Sequence, residues 1–359
     1  MYTILNKDFI RVSEIDAYDS AIWSERYREH GDFELYGRPQ ALLSQGVSVG
    51  FYLSKHGSDR VMFIENMALD TSVDDGPAVI VTGRSLEAML FRRVLWPPMT
   101  INGTIESGIR QILDTTIVNP SDERRKIPNF VVNIVKDDVI SNTSLSAQFS
   151  GETVYDAIVA ICEVYDLGFK IVYEDGKFVF VLYRGTDRSF NQDVNPYVIF
   201  SPDFDNLAST SYSHSSDSLA TFAYVAGKEN DDSSRLTTEV DLGLTGLDRR
   251  ELFVDASDIS EKDDDGNVIP QDEYASFLEE RGLETLSENT ATEFFEGSMD
   301  SVGVYVYGRD FFLGDTVQIQ NEFGIGAASQ VLEIVYTKDS NGETVVPTFA
   351  TPRLNERRR

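Results

Sequence analysis

Cysteine is almost absent from the chain, and this limits how the fold can be stabilised. Cys162 is the single cysteine among 359 residues, so no disulfide can form within the chain. It falls on the apolar side of a predicted helix, where a free thiol packs as a small buried hydrophobic group. Stability must come from apolar cores, which a chain of this length can build in two or more domains.

Long apolar runs are also missing. No stretch reaches the roughly 18 consecutive apolar residues of a transmembrane helix, so the sequence predicts no membrane span. The opening segment MYTILNKDFIRV alternates apolar and polar residues and carries charge, which is not typical of a signal peptide. We therefore expect synthesis and folding in a cytoplasm.

Positive charge is scarce. The chain has 31 basic and 60 acidic residues, a formal net charge of -29. Binding to a nucleic-acid backbone needs clustered lysine and arginine, and anionic membrane surfaces attract the same residues. The charge balance therefore argues against both classes of partner and indicates a highly soluble protein.

The motifs of common enzymes and metal sites are mostly missing. Neither a P-loop nor a GxGxxG pattern occurs, so nucleotide binding has no support. His30, His56 and His214 are scattered, without the paired spacing of a metal site. Paired carboxylates for glycoside hydrolysis stay open among 60 acids, with Trp23 and Trp96 as the available sugar platforms.

Residues 46–50, GVSVG, match the nucleophile elbow GxSxG. In that motif the serine, here Ser48, stands on a sharp turn between a strand and a helix. The following residues, Phe51 to Ser54, have the character of a strand rather than a helix. We therefore interpret this segment as glycine-flanked strand residues.

An acidic loop matches an EF-hand loosely, with Glu261, Asp263, Asp265, Gly266 and Asp272 at similar offsets. Glutamate stands first where aspartate is usual, and aspartate replaces the final bidentate glutamate. A solvated loop is the favoured interpretation, and calcium binding by the segment from Asp263 to Asp272 stays open. We assign no catalytic, cofactor-binding or metal-binding residue and no cofactor.

Strand patterns dominate both ends of the chain. Near the N-terminus, alternation predicts strands at 2–5, 47–53, 60–64 and 78–81. Residues 311–350 have the pattern of a strand meander, in which Leu313-Gly314-Asp315 opens a strand with Val317 and Ile319. A turn at 323–326, a strand through Val331, Ile334 and Val335, and a tight Asp339-Ser340-Asn341-Gly342 turn follow, where Asn-Gly is expected to supply positive φ angles.

Helical patterns lie between these regions. Thr104 is predicted to cap a helix with Ile105, Ile109, Ile112 and Leu113 on its apolar face. A second helix is predicted to start near Ser150 and to stop at Gly168. Asp175-Gly176 predicts a hairpin turn. A later helical segment contains Tyr274, Phe277 and Leu278.

These patterns predict an α+β, mostly β fold in four parts. Residues 1–98 form a first β-barrel-like domain, and residues 99–183 form a small α/β domain. Residues 184–256 plus 299–359 form a second β-barrel-like domain, interrupted by a polar loop and helix at 257–298. The two strand-rich regions are therefore candidates for two related tube domains.

Several segments, taken in order, resemble the tail-tip or baseplate hub proteins of siphophages. They are YDSAIWSERY (18–27) with GDFEL (31–35), VTGRSLEAMLFRR (81–93), DFDNLASTSYS (203–213), ATFAYVAG (220–227), and LGDTV (313–317) with VPTFA (346–350). The resemblance covers nearly the whole chain. That family has no catalytic residues to carry over.

The resemblance implies a homotrimer that closes the end of the tail tube, with two β-barrel domains per subunit giving six around the axis. The expected partners are further copies of this chain, the distal tail protein or last tail-tube ring, the tape measure protein, and tail-fibre or receptor-binding components. DNA is expected only in transit, and the expected location is the virion tail tip. A virion-associated glycan hydrolase and a carbohydrate-binding adhesin stay open as alternatives.

Overall fold

The computed structural model describes residues 1–72, 76–204, 206, 209–229, 234–262, 267–298, 305–320 and 326–350. The fold is α+β and mostly β, as the sequence predicts. The strands are β1 Tyr2–Leu5, β2 Arg11–Ile15, β3 Ser20–Arg26, β4 Asp32–Gly37, β5 Tyr52–Lys55, β6 Val61–Phe63, β7 Asn66–Ser72, β8 Gly76–Arg84, β9 Met99–Thr104, β10 Phe130–Ile134, β11 Ser144–Phe149, β12 Gly168–Glu174, β13 Lys177–Tyr183, β14 Ile199–Phe200, β15 Ser209–Ser215, β16 Phe222–Glu229, β17 Arg235–Asp241, β18 Glu251–Asp255, β19 Thr292–Ser298, β20 Thr316–Gln320, β21 Gly326–Asp339 and β22 Gly342–Ala350.

Helices are fewer than strands. They are α1 Pro39–Leu42, α2 Ile105–Leu113, α3 Asp138–Asn142, α4 Val154–Tyr165 and α5 Gln271–Glu288, with 3₁₀ turns at Leu43–Gln45, Leu86–Arg92, Glu123–Arg125, Pro202–Phe204 and Gly246–Asp248 and a π-helical turn at Asp114–Val118. Within the described ranges, none of the helices is both long and apolar enough to cross a membrane.

One long sheet joins the two ends of the chain. Its main path runs β15-β19-β22-β21-β3-β4-β8-β7, and β20 and β14 branch from β21. The 14-residue strand β21 makes this possible. Its first half pairs with β20 and its second half pairs with β3, while β22 lies along its other side.

Smaller sheets surround the long one. Strands β2, β1, β5 and β6 form a four-stranded sheet, β10, β13 and β12 a three-stranded sheet, and β9 and β11 a pair. Strands β17, β16 and β18 form another sheet, which packs against α5. This last sheet and α5 are inserted between β15 and β19, which pair with each other.

Four apolar cores hold these layers together. One lies around Ile109, between α2, α4 and the sheet containing β12 and β13. A second surrounds Trp23, between the four-stranded sheet and β3, β4 and β8. A third surrounds Phe200, beside β20, β21 and β22, and a fourth joins α5 to its sheet around Phe277. The predicted domain boundaries themselves stay a prediction.

Local capping explains where the two predicted central helices begin and end. Thr104 and Ser107 form a capping box at the start of α2, as the Thr104 cap predicts. Thr153 caps α4 by accepting the N–H of Asp156 at 3.1 Å. The predicted stop at Gly168 is wrong, because α4 ends at Tyr165 and its C-cap, Asp166, takes the left-handed conformation with φ 56°.

Gly168 instead makes room for the ring of Tyr27. A Cβ built on Gly168 would lie 2.0 Å from Tyr27 Cε2, and one on Gly314 would lie 2.3 Å from the same atom. The Tyr27 hydroxyl accepts the N–H of Gly185 and donates to the Asp166 carbonyl, both at 3.2 Å. Three distant segments therefore meet at one buried ring because two of them lack side chains there.

A strand prediction and a turn prediction also need correction. Residues 47–51 form a loop, and the strand there, β5, starts at Tyr52. The β21–β22 turn places Ser340 and Asn341 at its tip, so Asn-Gly does not supply the two central positions; Gly342 opens β22 with φ 131°. The predicted Asp175-Gly176 hairpin is confirmed, with φ 50° and 75°. The predicted turn at 323–326 falls almost entirely outside the described residues.

We predict that Gly168→Ala destabilises the protein by more than about 3 kcal/mol, because the methyl group overlaps the Tyr27 ring in a packed core. The matched control is Gly176→Ala, where the added methyl meets no atom within 4 Å and only the positive φ is strained. That strain costs about 1 kcal/mol. Urea denaturation of both variants compares the two losses, and equal losses would contradict the packing argument.

Candidate functional site: the two open edges of the long sheet

The main path of the long sheet ends in two open edges. Within the described ranges, β7 pairs only with β8, and β15 pairs only with β19. The outer backbone N–H and C=O groups of an edge strand are free to pair with another chain. The two edges belong to opposite ends of one path, so they present different surfaces.

The β7 edge extends an apolar face beyond the body of the protein. Met67 pairs with Val81 and Leu69 pairs with Val79, so the four side chains share one face. Val79 and Val81 are buried, whereas Met67 is 42% and Leu69 60% exposed. The core face of the sheet therefore continues onto β7, where nothing in the described chain covers it.

The opposite face of the same sheet, called the polar face below, carries most of the charged side chains of these strands, beside apolar residues such as Ile22. Register places Asp32, Glu34, Asp70 and Glu333 on it, together with Arg26 and Arg84. Arg26 pairs with Asp32 and Glu333 at 2.7 Å each, and Arg84 pairs with Glu65 at 2.7 Å. Both arginines are therefore neutralised by carboxylates of the same surface.

A shallow groove of about 400 Å³ crosses this polar face, lined by Ile22, Glu34, Asn66, Thr82 and Arg84. It runs from β3 to the β7 edge. The face has more carboxylates than guanidinium groups, so it offers little attraction to a phosphate backbone.

The strand β15 forms the other edge and enters the inserted unit of β16, β17, β18 and α5. His214 on β15 is exposed. The inserted unit packs through α5 against α4 and β11, in the region called the α/β part below. There the Tyr165 hydroxyl donates to Glu280 at 2.8 Å. Asn102 adds a 3.1 Å hydrogen bond to Glu273.

A buried carboxylate, Glu25, anchors β3 from the core side. It accepts hydrogen bonds from Trp23 Nε1 at 3.0 Å, Ser58 at 2.6 Å and Tyr307 at 3.0 Å. Burial and the nearby Glu25 charge raise the pKa of Tyr307. The phenol therefore stays protonated as a donor, which fits its role as a link between β3 and the C-terminal part.

A second buried charge pair joins the first 98 residues to the α/β part. Arg60 pairs with Glu87, and both side chains are almost fully buried. Glu87 Oε1 also accepts the N–H of Ile171 on β12 at 3.0 Å. Burial alone would lower the pKa of Arg60, but Glu87 together with Tyr183, Asp59 and Glu25 outweighs burial and the pKa is raised.

A third polar group lies next to Tyr27. Arg28 bonds both Asp166, at the end of α4, and Gln330 on β21. Gln330 in turn donates to the Gly314 carbonyl at 3.0 Å. The α/β part, the first strands and β21 are thereby fixed to one another beneath the open edges.

One cavity brings several acids together, between α4 and α5. Its volume is about 90 Å³, and Glu152, Asp156, Glu280 and Glu284 line it beside Arg281. Burial raises the pKa of Glu284. Ligand sites usually enclose about 300–1,000 Å³, so this cavity is too small to hold a sugar ring with its neighbours. It does not support a hydrolase.

The residues singled out in the sequence do not come together. Ser48 is exposed in a loop without the strand and helix of a nucleophile elbow. His30 packs against Phe91 and Tyr155, while His56 and His214 lie in separate exposed positions. Within the described ranges, no group of three His, Cys, Asp or Glu residues could hold a metal ion.

The remaining candidates have structural surroundings. Cys162 is fully buried on α4, and burial raises the pKa of its thiol. Trp23 is a core residue, whereas Trp96 is 67% exposed. Of the acidic loop, Asp263, Asp265 and Gly266 lie outside the described residues, and Asp272 is in the first turn of α5.

Sequence reasoning missed the buried ion pair and the open edges. Glu87 carried a signal, since it interrupts the otherwise apolar run from Leu86 to Leu90. Met67 and Leu69 carried none, because an alternating strand has the same pattern whether or not a neighbour covers it.

Comparisons with known proteins place this fold. The family model described as Siphovirus ReqiPepy6 Gp37-like protein matches residues 1–350. The 43 kDa tail protein of prophage MuSo2 from Shewanella oneidensis has a TM-score of 0.60 at 11% identity, with 98% of each chain covered. No curated protein matches the sequence.

Two further solved structures share the fold. The tail protein from Neisseria meningitidis MC58 has a TM-score of 0.58 at 14% identity, over 97% of this chain and 96% of that one. Prophage tail protein gp18 from Listeria monocytogenes EGD-e has a TM-score of 0.55 at 13% identity, over 97% and 94%. At such identities the likeness is one of fold.

We predict that Arg60→Met destabilises the protein by about 3–5 kcal/mol, because it leaves the Glu87 carboxylate buried without its partner charge. The double variant Arg60→Met/Glu87→Gln should recover most of that loss, because the neutral amide oxygen can still accept the Ile171 N–H. The control Arg124→Met breaks an exposed pair with Asp122 and should leave stability almost unchanged, because water screens that pair. Thermal and urea denaturation measure all three. A double variant no more stable than Arg60→Met would contradict the unpaired-charge explanation.

We predict a pH-dependent gain from Glu284→Gln. Since the pKa of Glu284 is raised in the folded state, its protonated form stabilises the fold below the unfolded pKa, and this contribution is lost as pH rises through the folded pKa. Glutamine mimics the protonated form at every pH. The variant should therefore melt at a higher temperature than the parent at pH 7 and at the same temperature near pH 4. A gain that is equal at both pH values would overturn this reasoning.

Proposed function

The chain belongs to the Siphovirus ReqiPepy6 Gp37-like protein family, and from this premise we propose that it is a structural hub at the distal end of a phage tail. Three structures that share its fold, each over at least 97% of this chain, are described as tail proteins. The proposed role makes and breaks no covalent bond. The protein would act by assembly at the tail tip of the virion.

The observation that carries the proposal is the pair of unlike open edges on one sheet. If β7 of one copy lies beside β15 of the next, every copy uses the same two surfaces. Contacts of this head-to-tail kind close into rings and leave no free strand edge. The uncovered Met67 and Leu69 would then be covered by the neighbouring copy.

The width of the sheet supports a ring of three copies over a ring of two. Three paths of eight strands give 24 strands. At about 4.8 Å per strand, the circumference is roughly 115 Å and the backbone diameter about 37 Å before strand tilt. Side chains of about 5 Å on each wall leave room for a DNA duplex roughly 20 Å across, whereas two copies would leave only about 14 Å.

The polar face of the sheet suits the lumen of such a ring. Its described carboxylates outnumber its arginines, and both arginines are ion-paired. A surface of this kind repels phosphate and would let DNA pass without holding it. The proposed contacts are the distal tail protein or last tube ring, the tape measure protein, and fibre or receptor-binding components.

We predict that the purified protein forms a trimer of about 120 kDa, three times its 40.2 kDa chain mass, in light scattering at tens of micromolar. Met67→Lys/Leu69→Lys should reduce it to a 40.2 kDa monomer, because charge on an edge strand opposes pairing.

The control is Leu247→Lys, at a leucine of the inserted unit that is 97% exposed, and this variant should stay trimeric. Circular dichroism should show the same fold for all three proteins. A parent protein that stays monomeric at these concentrations, or an edge variant that remains a trimer, would contradict the proposed ring.

A further inference from the structure

A small pocket opens where the four-stranded sheet meets the long sheet. Its volume is about 180 Å³. Tyr2 on β1 is the cross-strand partner of Lys55 on β5, which places both at one end of the four-stranded sheet. Lys338 on β21 faces them from the long sheet, next to Tyr336 and Tyr18. Strand pairing therefore brings two lysines together at the mouth of this core.

The Lys55 ammonium is half-buried over an aromatic ring. Its Nζ lies 3.3 Å from the centroid of Tyr336, and Lys338 Nζ lies 5.6 Å from that of Tyr18. Burial lowers the pKa of Lys55 although Glu25 and Glu343 oppose the shift. The ring partly replaces the lost hydration of Lys55, but it supplies no hydrogen-bond acceptor.

Neither lysine has an ion-pair partner among the described residues. Most described lysines form no ion pair, and Lys170 with Asp59 is the exception. What distinguishes Lys55 and Lys338 is that both line the same pocket. Glu343 is directly across the strand pair from Lys338 and lines the pocket, yet it forms no ion pair with it. Glu25 is occupied by its three donors.

Both lysines face the same space. Burial and the charges of Lys338 and Lys55 lower the pKa of the Met1 amine, which borders the pocket, although Glu343 and Glu14 oppose the shift. His56 adds a further nitrogen donor at the rim. The pocket therefore gathers cationic groups that repel one another, and an anion placed between them would relieve that repulsion.

We propose that this pocket binds an oxyanion, a carboxylate or phosphate group held between Lys55 and Lys338. Charge-assisted hydrogen bonds from the two ammonium groups hold its oxygens. A volume of about 180 Å³ admits one such group and excludes a nucleotide. The group is either a free ion or an acidic side chain presented by another chain, and the chemistry of recognition is the same.

The test is calorimetric titration of the full-length protein at constant ionic strength with inorganic phosphate and, separately, with a short peptide rich in glutamate. Saturable binding of either probe is expected, and it should weaken about tenfold or more in Lys55→Gln/Lys338→Gln. The control Lys177→Gln, on an exposed hairpin, should bind as the parent does. Tighter binding of the peptide identifies a side chain as the natural group, and tighter binding of phosphate identifies a free ion.

A second variant tests the proposal independently in case the lysine variants misfold. Glu343→Gln removes an exposed carboxylate from the rim, so it should leave the fold intact and tighten binding of both probes about threefold or more. The proposal is overturned if neither probe binds saturably, if the Lys177→Gln control loses binding as much as the lysine pair does, or if Glu343→Gln leaves the affinity unchanged.

Discussion

The architecture depends on one long strand. β21 hydrogen-bonds to β3 near the start of the chain, to β20 just before it, and to β22 just after it. A single strand thus connects the two parts of the sheet that cover the apolar cores around Trp23 and around Phe200. Because β21 lies at the middle of the path, the open edges at β7 and β15 are held at a fixed separation.

The orientation of the sheet edges also depends on the contacts of Tyr27, the residue directly after β3. Its N–H donates to the Leu332 carbonyl at 2.9 Å, and its carbonyl accepts the N–H of Phe169 at 3.1 Å. The ring fills the space left by Gly168 and Gly314. Backbone and ring therefore tie the α/β part to β21 at the same point, so the orientation of the edges follows from a local fit.

Local features of this fold could be predicted from the sequence, and distant ones could not. The cap at Thr104 and the hairpin at Asp175-Gly176 depend on a few neighbouring residues, which the sequence displays directly. The pairing of β3 with β21 joins residues about 300 positions apart and depends on which apolar faces meet. Gly168 looked like a helix stop because its real constraint, the Tyr27 ring, is far away in sequence.

The candidate site shows the same limit in its charges. Net acidity was evident from composition, and it predicted a surface that repels DNA. The arrangement of the charges cannot be predicted from composition. Arg26 and Arg84 are neutralised only because the fold places carboxylates beside them, namely Asp32, Glu333 and Glu65. Lys55 and Lys338 show the same limit, because strand pairing and the meeting of two sheets bring them to one pocket although they lie far apart in the sequence.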